Sequence, residues 1–512
     1  MSQIQPHYDF NHLSVKDLVE ARDMFHAHLI NKKNVVATAV GRYLIRKNDL
    51  DENGKYKSGK EKKPRTLENS IVVDISWPCI LVFVDTWQGE EELIRNESGN
   101  ITNIIPKTIY MPDGRIIPVC VVLATKVRTS DAEVDYDKLR FPSNYFGPGF
   151  PAIIHLQGQD NLATIGCIVS DGHKYFALTN KHLTGGNAGE IIKSMQGVEK
   201  VVAGVTTEIF IGKKEFSLLY PGWQSSNVVV SCDAGLIEID DIKRWKTELP
   251  FVGAMDEMYD LNVYNISLGL IAEHAKENNE IKPAQNGNVI GYGAVSGLTE
   301  GEIIGMFYRH KSVGGTEYVS DFLIAGRNGE PLNIHHGDSG CLWLIETFEE
   351  NKGKKLQPIA QHWGQHLFLK DNKKTKFTFS LSTSLSNICR ELDIDLVRGW
   401  NIDVDYSWGK IGHYTVGYKA IYTIQNENLR KLMHKNERNI SFRKSAINAD
   451  LDNPKIENPR LSKDPDKGFC TLADVPPLVT GDSVLPSILM GRPSLTFAKT
   501  LIASPSCTYV VA

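Results

Sequence analysis

The sequence predicts a mainly β chain with an α+β module before it and a less regular extension after it, and three observations carry that expectation. Between residues 150 and 395 many short apolar runs, among them ATIGCIVS, YFALTN, NVVVS, GLIEI, NVIGYG, EIIGMFY, YVSDFLIAG, CLWLI and FTFSLS, alternate with turn residues while few helical patterns compete, which is the texture of a sandwich or barrel. Proline and glycine cluster in FPSNYFGPGFPAI, residues 141–153, and mark a boundary near 145. Beyond 395 the texture changes: WNIDVDYSWGKIGHYTVGYKAIYT, residues 400–423, is still compatible with strands, but 433–468 is rich in Lys, Asn, Asp and Pro and poor in large apolar residues. The expected organisation is therefore 1–145, 146–395 and 396–512, with the last part partly flexible.

In chain order, SVKDLVEARDMFHAHLIN, residues 14–31, offers Ser14 as an N-cap and places Leu18, Ala21, Met24, Phe25 and Leu29 on one helical face. NVVATAVGRYLI reads as a strand, whereas residues 48–66 are charged, without apolar anchors, and read as a mobile loop. NSIVVDI, CILVFVDTW, TIYMP and IIPVCVVL are further strand-like runs, completing an α+β module. SLSNICRELDI, residues 384–394, reads as a closing helix.

Composition bounds the function. The chain has 512 residues, 41% hydrophobic and 23% charged, with a net charge of −4, so no electrostatic drive toward nucleic acid or an anionic membrane is expected. The start of the chain does not read as a secretory signal, and the strongest apolar stretch, IVVDISWPCILVFVDTW, is broken by Asp74 and Pro78. The expectation is a cytoplasmic protein without membrane or nucleic-acid partners. Its eight cysteines form no CxxC pair and are expected to be buried thiols.

The most informative stretch is IHHGDSGCLWLIE, residues 334–346. Ser339 stands between Asp338 and Gly340, after Gly337, at the head of a strand. It is the candidate nucleophile, and the Gly337 and Ser339 amides are the candidate oxyanion hole. A serine hydroxyl needs a base, and His182 follows YFALTN and precedes LTGG, where a strand ends. A carboxylate must orient that imidazole, and Asp233 sits within the apolar run NVVVSCDAGLIEI, with Asp240 and Asp241 as weaker competitors.

The three segments ALTNKHLTGG, CDAGLIEI and HHGDSGCLWL together resemble the catalytic blocks of trypsin-like serine peptidases of the chymotrypsin fold, in that family's order of His, Asp and Ser. The resemblance covers roughly residues 150–395 and implies two perpendicular six-stranded β-barrels. His182 and Asp233 would lie on the first barrel and Ser339 on the second, forming an acyl-enzyme with no cofactor and no metal. PIAQHWG, residues 358–364, resembles the strand along which the family's substrates lie, which assigns Trp363 and Gly364 to substrate binding. The run GNVIGYGAVSGLTEGEI also resembles the intracellular branch that includes the plant narrow-leaf trypsin-like proteins, which implies a homo-oligomer or a regulatory partner.

Departures from the family bear on specificity. Members that cut after Lys or Arg carry an acid six positions before the serine, and here that residue is Asn333, with Glu330 three places further back. His335, His336 and His362 would lie at the pocket mouth and favour an acidic side chain. Two rival readings are a catalytically silent trypsin-like binding or assembly module, and a metal-dependent hydrolase built on His335, His336, His362 and His366. The strand-like context and the lack of a nearby acid speak against the second.

Overall fold

The computed structural model describes residues 9–57, 63–89, 103–127, 139–156, 158–223, 228–311, 315–349, 353–369, 376–399 and 424–435. The chain opens with α1 (Val15–Met24) and α2 (His26–Ile30). Ser14 caps α1 as its sequence suggests. Its hydroxyl accepts from Asp17 N at 3.2 Å and its own amide donates to the Asp17 carboxylate at 2.8 Å, a reciprocal capping box. The single expected helix is nevertheless two, because Phe25 (φ −102°, ψ 8°) leaves the helical region. The break shifts the phase of the apolar stripe: Leu18, Ala21 and Leu29 are buried, while Met24 is 56% exposed.

Strands β1 (Val35–Arg42), β2 (Ile45–Arg46), β3 (Ser70–Ile71), β4 (Pro78–Val84), β5 (Thr108–Tyr110), β6 (Ile116–Leu123) and β7 (Lys126–Val127) complete the N-terminal region. The charged stretch 48–66 departs from its expectation, since it does hold an apolar anchor. Leu50 is fully buried against Ile45, Ile71 and Val73, and it bridges to Tyr56.

The next group is β8 (Pro151–Leu156), β9 (Gln159–Thr164), β10 (Cys167–Ser170), β11 (Tyr175–Thr179), β12 (Ile191–Gln196), β13 (Glu199–Glu215) and β14 (Val229–Glu238). They pair in the order β9–β8–β12–β13–β14–β11–β10 and curl round a core that includes Phe146, Phe150, Ile165, Ile168, Ile237 and Trp245. A small hairpin, β15 (Lys276–Glu277) and β16 (Glu280–Ile281), leads into the second group. That group is β17 (Asn288–Gly293), β18 (Gly297–Lys311), β19 (Glu317–Gly326), β20 (Leu342–Glu349), β21 (Gly353–Leu369) and β22 (Lys376–Ser384). Its ladder runs β17–β18–β19–β22–β21–β20 and returns to β17, a closed ring of six strands. The chain is mainly β, with a curled sheet of seven strands followed by a closed ring of six.

The closing helix α3 (Leu385–Leu392) stands where its pattern places it and is followed by β23 (Asp395–Leu396), which pairs with β10. A further helix, α4 (Glu427–Lys435), lies in the C-terminal part, and the linker expected over 433–468 falls almost wholly outside the described residues. The N-terminal strands join the second barrel directly. β1 pairs with both β4 and β18, and β7 pairs with β21. One continuous core accordingly runs from Leu18 and Phe83 to Phe307, Trp343 and Phe379, each large side chain contributing on the order of 2–3 kcal/mol by burial. The six cysteines within the described residues are buried. No helix among those residues is long and apolar enough to cross a membrane.

Candidate active site

His182 projects from a single helical turn, Lys181–Thr184, that follows β11 directly and ends at Gly185 in the left-handed region (φ +64°). Buried Leu183 and Thr184 anchor the turn, while the His182 side chain remains 48% exposed. Its Nδ1 lies 2.7 Å from Asp233 Oδ2, and its backbone N–H donates to Asp233 Oδ1 at 3.0 Å. One carboxylate thus fixes both the main chain and the ring, and it favours the tautomer that leaves Nε2 free to accept a proton.

Asp233 reaches this position through an irregularity in β14. Ile211 faces Ala234 and Lys213 faces Ser231, so three steps on β14 oppose two on β13, and Asp233 takes φ +40° inside the extra segment. The bulge turns an aspartate out of an apolar strand toward the histidine. Asn180 locks it from below, donating from Nδ2 to Asp233 O at 2.5 Å. The weaker candidates Asp240 and Asp241 lie beyond the end of β14.

The Ser339 loop is held by the carboxylate beside it. Asp338 is fully buried and accepts from Val295 N (2.9 Å), Ser296 N (3.1 Å), His335 N (2.7 Å) and the Ser296 hydroxyl. Gly337 and Gly340 both have φ +101°, and a Cβ on Gly340 would run into Thr164 O, so the backbone needs glycine there. Among the four amides of this loop, Asp338 N bonds His335 O and Gly340 N bonds His362 O. The alternate amides of Gly337 and Ser339 meet no acceptor among the described residues. These are two donors that a developing oxyanion would satisfy.

Two threonines that the sequence did not single out stitch the barrels together here. Thr164 N donates to Ser339 O at 2.7 Å, Thr164 Oγ1 donates to Gly337 O at 2.8 Å, and Thr179 Oγ1 donates to Thr164 O at 2.8 Å. Both side chains are fully buried in the first barrel, so its wall positions a loop of the second. The only signal in the sequence was polar residues within apolar strands.

His362 ties the blocks into one place. Its carbonyl accepts from Gly340 N (2.8 Å) and its amide donates to Cys341 O (2.9 Å), while a proton on His182 opposes protonation of its ring. Burial, the larger cause, drives its pKa down to about 3, so it is a neutral imidazole at pH 7. Its side chain is 2% exposed, set within the barrel rather than at a pocket mouth, with Nδ1 2.7 Å from Ser380 Oγ, which in turn accepts from Trp343 Nε1. Asn333 is exposed and neutral, its Oδ1 against His335 Nε2 at 3.1 Å, and His336 is exposed beside it. No hydrogen bond joins Ser339 to His182 among the described residues. Such bonds commonly tighten only when substrate is bound. No cluster of metal-ligating side chains occurs among the described residues, and His335, His336, His362 and His366 are not gathered on one point.

Comparison with known proteins gives a consistent direction. The Nal1 C-terminal domain family matches residues 237–399. A probable serine protease of Bradyrhizobium tropiciagri is 37% identical over 458 residues, which cover 86% of this chain and 55% of that protein, so the chain spans about half the length of this curated relative. Solved structures that match include Thermobifida fusca protease A (17% identity, TM-score 0.29, 49% of this chain and 98% of that one) and Nocardiopsis protease (13%, 0.29, 49% and 97%). A glutamic acid-specific serine protease, described as using a histidine triad in substrate binding, matches at 12% identity and TM-score 0.29 over 49% of this chain and 99% of its own. In sequence, the chain is similar to a protein named as a probable serine protease, and its residues 237–399 match the Nal1 C-terminal domain family.

Proposed function

We propose that this chain is a serine endopeptidase working through His182, Asp233 and Ser339. The observation that carries the reading is the Asp233 carboxylate, brought by a strand bulge onto both the ring and the backbone of His182, together with a serine loop whose alternate amides meet no acceptor among the described residues. In the proposed reaction His182 Nε2 takes the Ser339 proton as Oγ attacks a peptide carbonyl, and the Gly337 and Ser339 amides receive the oxyanion. The imidazolium returns its proton to the leaving amine, and water then resolves the acyl-enzyme by the same steps. Substrate would lie along Trp363 and Gly364, with Asn333 and His336 lining the pocket and His362 behind its wall. Residues 146–395 carry this machinery in the proposed layout, preceded by the module 1–145.

The test is covalent labelling with a fluorophosphonate. Wild-type chain should react at Ser339, and Ser339→Ala should not, with an unchanged circular dichroism spectrum. Undiminished labelling of the variant refutes the assignment. A wild-type chain that does not react would favour a silent binding module.

A further inference from the structure

Strand β21 shows what length of substrate the cleft can take. One of its edges is filled by β22 from Ala360 to Leu369. The other is filled up to Gln361 by β20 and at His362 by Gly340 and Cys341. From Leu367 onward that same edge is taken by β7, with Leu367 opposite Val127, Phe368 opposite Lys126 and Leu369 N donating to Thr125 O at 2.9 Å. Residues 363–366 are therefore a gap in an otherwise occupied edge, with no ladder partner on that side among the described residues. At about 3.3 Å per residue the gap accepts roughly four residues of an extended guest. A guest antiparallel to β21, as β20 and β7 are, would end at the Ser339 loop and begin at β7. It would thus be the acyl side of the substrate.

The far end of the gap is cationic. Lys126 Nζ lies 3.1 Å from His366 Nε2, and His366 Nδ1 lies 3.1 Å from Tyr308 Oη. An ammonium only donates, so Nε2 accepts, Nδ1 carries the ring proton toward Tyr308, and the imidazole is neutral. Burial and the neighbouring Lys126 charge push His366 the same way. Lys126 has no carboxylate partner among the described residues, and its side chain is exposed. Beside it, Trp363 stacks on His310 with centroids 6.5 Å apart, and both Trp363 Nε1 and His310 Nδ1 are buried without a partner. Those two atoms are buried, so what this end of the cleft presents to a guest is the Lys126 cation.

We infer that β7 end-stops the acyl side of the cleft, limiting it to about four substrate residues, and that Lys126 selects an acidic side chain at the outermost of them. The inference rests on the peptidase reading of Ser339 and is tested on the full chain with quenched-fluorescence peptide libraries randomised at the residue before the cleaved bond. The kcat/KM should rise as the acyl side grows to four residues and stay level for five, six and seven. Glu at the fourth residue should exceed Lys by about fivefold, as expected of a partly exposed charge pair. Lys126→Ala should abolish that preference and Lys126→Arg should keep it, both with wild-type fluorophosphonate labelling. A steady climb beyond four residues, or a Glu preference that survives Lys126→Ala, overturns the inference. Loss of labelling in the wild-type chain overturns the peptidase reading itself, and this inference with it.

Discussion

Replacing Asp338 by asparagine probes whether a buried carboxylate holds the nucleophile loop. Oδ1 serves the Val295 and Ser296 amides, and Oδ2 serves the His335 amide and the Ser296 hydroxyl. The isosteric amide keeps one oxygen. With that oxygen toward Val295 and Ser296, its NH2 group faces the His335 N–H, where two donors oppose each other. The Ser296 hydroxyl can rotate to accept, but the His335 amide cannot. One charge-assisted bond is lost, about 2 kcal/mol, and a partly buried donor goes without an acceptor, about 1 kcal/mol more. The opposite flip is worse, since it sets the NH2 against two amides. Because Asp338 lies between the two free amides, the penalty of about 3 kcal/mol falls on the conformation that aligns them, which corresponds to roughly a hundredfold lower fluorophosphonate labelling rate. The assay is the second-order labelling constant of Asp338→Asn, with circular dichroism to establish folding. A folded variant labelled within threefold of wild type would refute the reasoning.

Four other outcomes follow. Asp233→Asn should lower kcat by about four orders of magnitude with little change in fold, because an amide at Oδ2 selects the wrong His182 tautomer. Peptide hydrolysis at matched substrate concentrations checks it. Stability should fall on acidification below pH 6.5, because burial holds His362 near 3 and His310 near 4 while the unfolded chain titrates at the ordinary value. The unfolded state therefore gains protons first, the stabilisation is complete above pH 6.5, and each ring loses about 2 kcal/mol by pH 5. Thermal midpoints across pH 5–7.5 for wild type, His310→Gln and His362→Gln read the effect, and unchanged slopes in the variants would exclude these histidines. Asn333→Asp should introduce cleavage after Lys and Arg that wild type lacks, scored by product sequencing of a peptide library. Ser339→Ala, as above, should remove fluorophosphonate labelling altogether.

The parts of the fold that were legible in the sequence are those whose cause is local. Ser14 with Asp17 encodes a capping box within four residues, and the strand alternation encodes the barrels. The site was legible for a different reason: His182 and Ser339 stand where strands meet turns, and Asp233 is a charge inside an apolar run. What was hidden depends on partners distant in sequence. Nothing near Thr164 announces that it will grip Gly337, 173 residues away, and nothing near Leu50 announces Ile71 and Val73 beneath it. Met24 fits the helical stripe by spacing and is exposed only because the helix breaks at Phe25. The position of His362 illustrates the limit most clearly, since strand membership was readable but the depth of its ring was set by Ser380, on the next strand.

The boundary near residue 146 separates segments in chain order but not in the core. Val40 pairs with Met306 through the β1–β18 ladder, Phe83 meets Tyr308 edge-on at 5.5 Å, and Arg22 is buried with its guanidinium on Phe307 O. Those contacts all end on β18, and β18 pairs with β19 and β17, the latter leading into Ala294 to Ser296, which bind Thr164 and Asp338. The N-terminal region therefore reaches the Ser339 loop through one strand of the closed ring and reaches the proposed substrate edge through β7. The described residues of this region that complete the core also border the proposed cleft, so in the proposed reading the Ser339 loop and the length of the guest it can meet both depend on how β1 and β7 dock. That coupling places Lys126, far from Ser339 in sequence, at the far end of the proposed substrate edge.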